Sequence, residues 1–133
     1  MNKRLIEKRR IVKPCDDHIG GLLGEALLRF FLKEELIKRD ESDYFITDKG
    51  WEEIEIIGID IEKLRHNKKN VKVCIESKHG ILYEHIGSFL GALLLQRLFE
   101  LQWLIKKDEK SFELTDKGIL GLESLGVKIK SLT

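Results

Sequence analysis

The sequence predicts an α+β fold made of two copies of one small module. The phrase HIGGLLGEALL begins at His18 and returns, only slightly altered, as HIGSFLGALLL at His85. A second phrase, LIKRDESDYFITDKG, begins at Leu36 and returns as LIKKDEKSFELTDKG at Leu104. Because both phrases recur in the same order within 133 residues, they indicate two homologous modules, and two copies are too few for a solenoid.

Each module is predicted to begin with a helix-turn-helix. From His18 onward, apolar residues recur at the i, i+3, i+4 spacing of a helix that packs on a core. Gly24 and Gly91 interrupt this periodicity, and a glycine at such a position often ends one helix so that the next begins at an angle. We therefore expect the second helix of each copy over residues 25–35 and 92–102.

A β-hairpin and a closing helix are predicted to follow. Segments 36–47 and 104–115 place a charged turn between two β-prone stretches, and each ends on a threonine that can cap a new helix. The closing helices are expected to end near Gly58 and Gly126, in the left-handed conformation typical of helix ends. Helix-turn-helix, hairpin wing and closing helix make a winged-helix-like module, with a generic α+β unit as the alternative.

The charge pattern divides the chain into a basic N-terminal arm (residues 1–14), module 1 (15–63), and a basic linker with module 2 (64–133). The net charge of +1 is far below that of a typical dedicated nucleic-acid binder. No apolar run approaches the ~18 residues of a membrane span, and no secretion signal is recognisable at the start. We therefore expect a cytoplasmic protein.

The two copies, together with the cysteines that precede them, resemble a known family of regulators. Residues 12–130 are similar to the C-terminal half of large ArsR-type transcriptional regulators, in which two degenerate winged-helix-like copies follow a DNA-reading winged helix. The matching features are a helix start of the form HLAG..LG, a helix of the form LT..G after the wing and, most specifically, LGALLLQRLFELQWLIKK. The family typically has a cysteine before each of the two histidines, as Cys15 and Cys74 precede His18 and His85 here. The DNA-reading domain has no counterpart in these residues, so the resemblance implies the effector half of such a regulator.

Polar side chains on the second predicted helix of each copy are the candidates for reading DNA, because recognition helices present such groups to base edges. They are Arg29, Lys33, Gln96 and Arg97. Basic residues of the arm and linker are candidates for salt-dependent phosphate contacts. They are represented by Arg9, Arg10, Lys68 and Lys69.

Apolar side chains on the same helices predict packing instead of DNA reading. Three consecutive leucines, residues 93–95, sweep most of the way round a helix, so this helix is expected to be buried on more than one side. The burying partner is the other copy or the same helix of a second chain in a homodimer. The predicted packing residues are Leu27, Phe30, Phe31, Leu94, Leu98 and Trp103.

Cysteine and histidine residues form a candidate metal or effector site. Cys15 and His18 are one helical turn apart, so both could reach one ion, while Cys74, His79 and His85 bring the second half of a ligand set. Zinc or another thiophilic metal is the ion that such donors predict. The alternative is that the histidines anchor the first helix of each copy and that the cysteines are small buried apolar residues.

The expected function lies in transcriptional regulation, without catalysis. The sequence has no glycine-rich phosphate loop, no nucleophile elbow and no helical histidine pair around a glutamate, so we expect no enzymatic activity. We expect an interaction or effector-responsive module of an ArsR-type regulator. Two alternatives stay open: a stand-alone DNA-binding repressor, and a structural or dimerisation partner that binds no DNA.

Overall fold

A computed structural model of the chain describes residues 10–15, 17–66 and 71–129. Helices and antiparallel hairpins alternate along this part of the chain, which confirms the predicted α+β class. None of the described helices is long and apolar enough to cross a membrane.

The first half of the chain (residues 10–66) contains two hairpins, each followed by a helix, and a final short helix. Its elements are β1 (Ile11–Val12), β2 (Pro14–Cys15), β3 (His18–Ile19), α1 (Gly21–Lys33), β4 (Ile37–Asp40), β5 (Asp43–Ile46), α2 (Asp48–Ile57) and α3 (Ile61–Arg65).

The second half (residues 71–129) repeats the order of hairpin, helix, hairpin, helix. Its elements are β6 (Lys72–Lys78), β7 (Ile81–Gly87), α4 (Ser88–Glu100), β8 (Leu104–Asp108), β9 (Ser111–Leu114) and α5 (Asp116–Leu125). Strand β1 pairs with β9 and completes a three-stranded sheet of order β1-β9-β8. Residues assigned to the N-terminal arm therefore pair with the wing of the second half.

The helix break predicted at Gly24 and Gly91 is wrong. One continuous helix runs through each glycine, and a β-strand precedes it where the first helix was expected. The physical reason is a close approach between helix and strand. A Cβ atom at Gly24 would lie 2.1 Å from the carbonyl oxygen of Ile19, and one at Gly91 would lie 2.3 Å from that of Ile86. Each glycine lets its helix contact the preceding strand.

The wings and closing helices agree with the prediction. Strand β4 pairs with β5, and β8 pairs with β9, both antiparallel. The hydroxyls of Thr47 and Thr115 each accept a hydrogen bond of 2.9 Å from the backbone N–H three residues further on. Gly58 and Gly126 end the closing helices with φ of 98° and 103°, in the left-handed region where glycine is favoured.

The hydrophobic core is shared between the halves. Helix α1 packs against β7 of the second half, and α4 packs against β3 of the first half. Leu27 and Phe31 on α1, and Leu94 and Leu98 on α4, are each at most 5% exposed. Each long helix thus packs on a strand of the opposite half, an arrangement that we call the exchange of helices. It places the starts of both helices, with the strands before them, at the centre of the molecule.

Candidate functional sites

The cysteines and histidines form two cross-strand pairs. Cys15 lies opposite His18 across β2 and β3, and Cys74 lies opposite His85 across β6 and β7. Side chains opposite each other in an antiparallel pair share a face of the hairpin, with Cβ atoms about 4.5–5.5 Å apart. The helical turn predicted between Cys15 and His18 is therefore wrong, yet the hairpin also directs both side chains to one side.

The exchange of helices brings the two pairs together. The ligand atoms of Cys15, Cys74 and His85 all lie within 4.8 Å of one another. The ring centroid of His18 lies 5.8 Å from that of His85, with the ring planes at 53°. His85 is completely buried, while both cysteines are half-buried and form no disulfide bond. Thiolate and imidazole are the donors typical of tetrahedral metal sites.

His79, the remaining member of the predicted ligand set, lies away from this cluster. It is exposed in the turn between β6 and β7, with φ of 53°. At about 3.3 Å per residue along a strand, the turn is roughly 16 Å from Cys74. The structure therefore brings three of the five predicted ligands within ligand distance of one another, and it places the ring of His18 beside that of His85.

Two carboxylates contact the imidazoles of the cluster. Asp17 Oδ1 lies 3.0 Å from Nε2 of His18, and Glu76 Oε1 lies 3.6 Å from Nδ1 of His85. The side chain of Glu76 is only 10% exposed, and Oε1 also accepts a 2.6 Å hydrogen bond from the backbone N–H of Gly21. Nδ1 of His18 is buried and has no hydrogen-bond partner among the residues that the structure describes. Each ring thus has one nitrogen facing a carboxylate.

The helix glycines make room for the histidines. A Cβ atom at Gly24 in the first half would lie 2.9 Å from Cβ of His85 in the second half. One at Gly91 in the second half would lie 3.3 Å from Cδ2 of His18 in the first half. Each half therefore accommodates the histidine of the other through the same position of its long helix.

Three of the DNA-contact candidates lie exposed on the outer sides of the long helices. They are Arg29 and Lys33 on α1, and Gln96 on α4. Arg29 forms an ion pair with Glu25 one turn earlier on α1.

Arg97 connects two helices. Its Nε donates a 2.7 Å hydrogen bond to the carbonyl oxygen of Ile57 at the end of α2, and its Nη1 lies 3.1 Å from Oε2 of Glu100. The guanidinium also covers Gly58, where a Cβ atom would meet it at 2.5 Å. These contacts hold the side chain between α4 and the end of α2.

The remaining basic candidates lie near or outside the limits of the described structure. Nη1 of Arg10 forms a 2.6 Å ion pair with Asp116 at the start of α5. Arg9, Lys68 and Lys69 lie outside the described residues.

The predicted packing residues divide into two environments. Four of them lie in the shared core described above. Phe30 is partly buried and contacts Phe31 edge to face, with ring centroids 5.9 Å apart. Trp103 is also partly buried, and its ring covers Gly121 on α5 within the second half.

The structure also contains a cavity that the sequence analysis missed. It has a volume of about 250 Å³ and lies between the outer side of α1 and the end of α5. Leu22, Arg29, Phe30 and Lys33 line it together with Gly126. These residues come from opposite ends of the chain, so no local pattern could have indicated their proximity.

Comparisons with known proteins indicate a relation to transcription regulators. No protein-family model matches the chain, and no solved structure matches it. The chain is 25% identical over 123 residues to YdfF of Bacillus subtilis (strain 168), which is named as an uncharacterized HTH-type transcriptional regulator. The similarity covers 88% of this chain and 52% of that protein, so the chain spans about half the length of the relative. The name of the relative specifies no ArsR type, and that finer classification stays a prediction.

Proposed function

We propose that this chain is an interaction or effector-responsive module of an ArsR-type transcription regulator, and that it does not itself read base sequence. The similarity to an HTH-type regulator supports a place in transcription regulation, since it covers 88% of the chain. The architecture of the long helices supports the second part of the proposal.

One observation carries the proposal: the two helices that would have to enter DNA are packed into the opposite half of the molecule. A recognition helix must protrude far enough to reach base edges in a major groove about 8.5 Å deep. Helix α1 lies against β7 and α4 against β3. Arg97 is also engaged with the carbonyl oxygen of Ile57. Only three of the four polar candidates on the long helices, namely Arg29, Lys33 and Gln96, remain exposed and could face DNA.

The correspondence between the halves favours closure within one chain. His18 and Gly24 occupy the positions in the first half that His85 and Gly91 occupy in the second, and each glycine contacts the opposite histidine. We infer that the halves are copies arranged about a pseudo-twofold axis. Because each copy buries the long helix of the other, these helices need no second chain to cover them.

The surface that we propose for a protein partner is the outer end of the β6–β7 hairpin. Ile75, Ile81 and Leu82 are 60%, 54% and 69% exposed there. The register of the hairpin places Ile75 and Leu82 on one face, two rungs apart, and Ile81 on the opposite face. Clustered exposed aliphatic side chains are typical of protein–protein contact sites.

DNA binding is tested by fluorescence anisotropy with random-sequence duplexes at low and high salt. We expect weak binding without sequence preference that falls steeply as salt rises, because only phosphate contacts contribute. The double variant Arg29→Ala, Lys33→Ala is compared with Lys117→Ala, an exposed lysine on α5. Sequence-selective binding that persists at high salt and is lost only in the double variant would establish the stand-alone repressor instead.

Self-association is tested by light scattering over a range of protein concentrations. If a second copy docks on the hairpin, Ile75→Glu with Leu82→Glu should halve the mass, whereas Leu120→Glu, equally exposed at 68% on α5, should not. A mass of one chain at every concentration would exclude the homodimer.

A further inference from the structure

We propose that Cys15, His18, Cys74 and His85 bind one zinc ion that joins the two halves of the molecule. Each half contributes one cysteine and one histidine from the hairpin that precedes its long helix. The proposal is independent of whether the chain contacts DNA.

The distances between the ligand atoms of the cluster are only slightly longer than those of a tetrahedral zinc site. Zinc bonds of about 2.3 Å to sulfur and about 2.0 Å to nitrogen put tetrahedral ligand atoms roughly 3.4–3.8 Å apart. The ligand atoms of Cys15, Cys74 and His85 already lie within 4.8 Å of one another. Side-chain rotations that move these atoms by about 1 Å would complete three bonds.

His18 is positioned to supply the fourth bond. Two imidazoles bound to one tetrahedral ion have ring centroids roughly 5 Å apart, given zinc–nitrogen bonds of about 2.0 Å. The centroids of His18 and His85 are 5.8 Å apart, and the rings are tilted by 53° and not stacked. The two rings are therefore close to the separation that two imidazoles on one ion require.

The carboxylates indicate which nitrogen of each ring would bind. Zinc-bound histidines almost always donate their other ring N–H to a carboxylate, a carbonyl or water, which sets the tautomer. Asp17 contacts Nε2 of His18, so Nδ1 is assigned to the ion in that ring. Glu76 contacts Nδ1 of His85, so Nε2 is assigned to the ion in the other. The buried Nδ1 of His18 agrees with this assignment, because it has no hydrogen-bond partner among the described residues.

The electrostatic environment suits two thiolates and a divalent cation. Two thiolates neutralise the charge of Zn²⁺, so the ion and its four ligands together carry no net charge, and the carboxylates of Asp17 and Glu76 lie beside them. The long helices begin directly after the histidine-bearing strands, and a helix N-terminus stabilises nearby thiolates. A Cβ atom at Gly87, the N-cap residue of α4, would lie 3.1 Å from Cβ of Cys74 and 3.2 Å from Cε1 of His18. The start of α4 is therefore in contact with the site.

The predicted role of the ion is structural. Four protein ligands leave no open coordination position, which is the arrangement of structural zinc sites and not of catalytic ones. The ion would connect β2 and β3 to β6 and β7, segments that are distant in the sequence. Because metal binding to such sites is coupled to folding, zinc should stabilise the packing of each long helix on the opposite half.

Metal analysis of the untagged, full-length chain is the first test. We expect one zinc per chain, a lower melting temperature after treatment with a chelator, and recovery on addition of zinc. Cobalt titrated into the metal-free protein should give the visible bands of a tetrahedral site and a thiolate-to-cobalt charge-transfer band, saturating at one equivalent. Substoichiometric zinc, with melting unchanged by the chelator, would overturn the proposal without the need for any variant.

Ligand variants identify the donors. Cys15→Ser and Cys74→Ser should each halve the charge-transfer intensity, and His18→Asn and His85→Asn should weaken binding with both thiolate bands retained. His79→Asn is the matched control, since His79 is exposed at the turn. Cobalt bands that are unaltered by the cysteine variants, or that are lost in His79→Asn, would overturn the ligand assignment.

Glu76→Gln tests the positioning role of the buried carboxylate. Loss of such a contact typically weakens metal binding about 10–100-fold, and we expect that loss with the cobalt spectrum unchanged in shape. Thiol alkylation then separates zinc from a disulfide between the two cysteines. Zinc protects both thiols until a chelator is added, whereas protection that is reversed by a reductant and not by a chelator would overturn the proposal.

Discussion

Replacing Gly24 by alanine is expected to destabilise the protein, although alanine is the better helix former. The added methyl group would lie 2.1 Å from the carbonyl oxygen of Ile19 and 2.9 Å from Cβ of His85. Real Cβ contacts are essentially never closer than 3.0 Å, so the helix would have to move away from the strand by about 0.9 Å at this point. Alanine has no rotamer that could relieve the contact.

Two opposing contributions set the magnitude of the effect. Alanine is favoured over glycine by about 1 kcal/mol inside a helix. Overpacking of a core costs about 1–3 kcal/mol, and the upper end applies here because the opposing atom belongs to the backbone and cannot rotate away. The free energy of unfolding should therefore fall by about 2 kcal/mol.

Denaturant unfolding, followed by the fluorescence of Trp51 and Trp103, measures this change. The control is Ala26→Gly in the same helix, which should lose about 1 kcal/mol through helix propensity. Both variants are measured with zinc and with a chelator, because Gly24 contacts a proposed ligand. A Gly24→Ala variant as stable as the wild type, or more stable, would refute the close approach and show that Gly24 is an ordinary helical glycine.

Three further changes test the local structure. Thr47→Ala should cost about 1 kcal/mol of unfolding free energy in the same assay, with Thr47→Ser retaining most of the stability, because the hydroxyl caps α2. Arg97→Ala should cost about 1.5 kcal/mol by the same measurement, because it removes the hydrogen bond to Ile57; a loss below about 0.5 kcal/mol would contradict that role. The backbone N–H of Lys110 donates a hydrogen bond to the carboxylate of Asp108 and holds its pKa below the usual value. The ionised carboxylate therefore stabilises the folded protein at pH values above the unfolded pKa of about 3.9, and this stabilisation is lost as the pH falls through the lower folded pKa. Asp108→Asn should therefore reduce the pH dependence of unfolding on the acid side, and an NMR titration of Asp108 that gives an ordinary or raised pKa would contradict this.

Features that depend on near neighbours in the chain were predictable. Thr47 and Thr115 cap helices, and Gly58 and Gly126 end them, as their positions indicated. A cap involves a side chain and backbone groups only three residues away, so its chemistry is contained in a short stretch of sequence. The wings were predictable for the same reason, since a hairpin pairs residues that a short turn joins.

Features that depend on how the long helices pack were not predictable in the same way. A glycine inside helical periodicity is compatible with a turn or with a close approach, and the strand carbonyl that faces Gly24 identifies the second. Strand β3 escaped prediction because it has two residues, too few for a recognisable alternation, and the last residues of β7, from His85 on, were assigned to the predicted helix.

The candidate metal site depends both on residue types that the sequence shows and on the tertiary packing. The residue types and their recurrence selected Cys15, His18, Cys74 and His85 together with His79, because thiols and imidazoles are uncommon and chemically distinctive. Spacing along the chain could not separate His79 from the others, since proximity in sequence is not proximity in space. The tertiary structure distinguishes His79 from the other ligands, because α1 packs on the second half and α4 packs on the first. Side chains that are remote in sequence become neighbours only when the hydrophobic faces of these two helices are buried in one core.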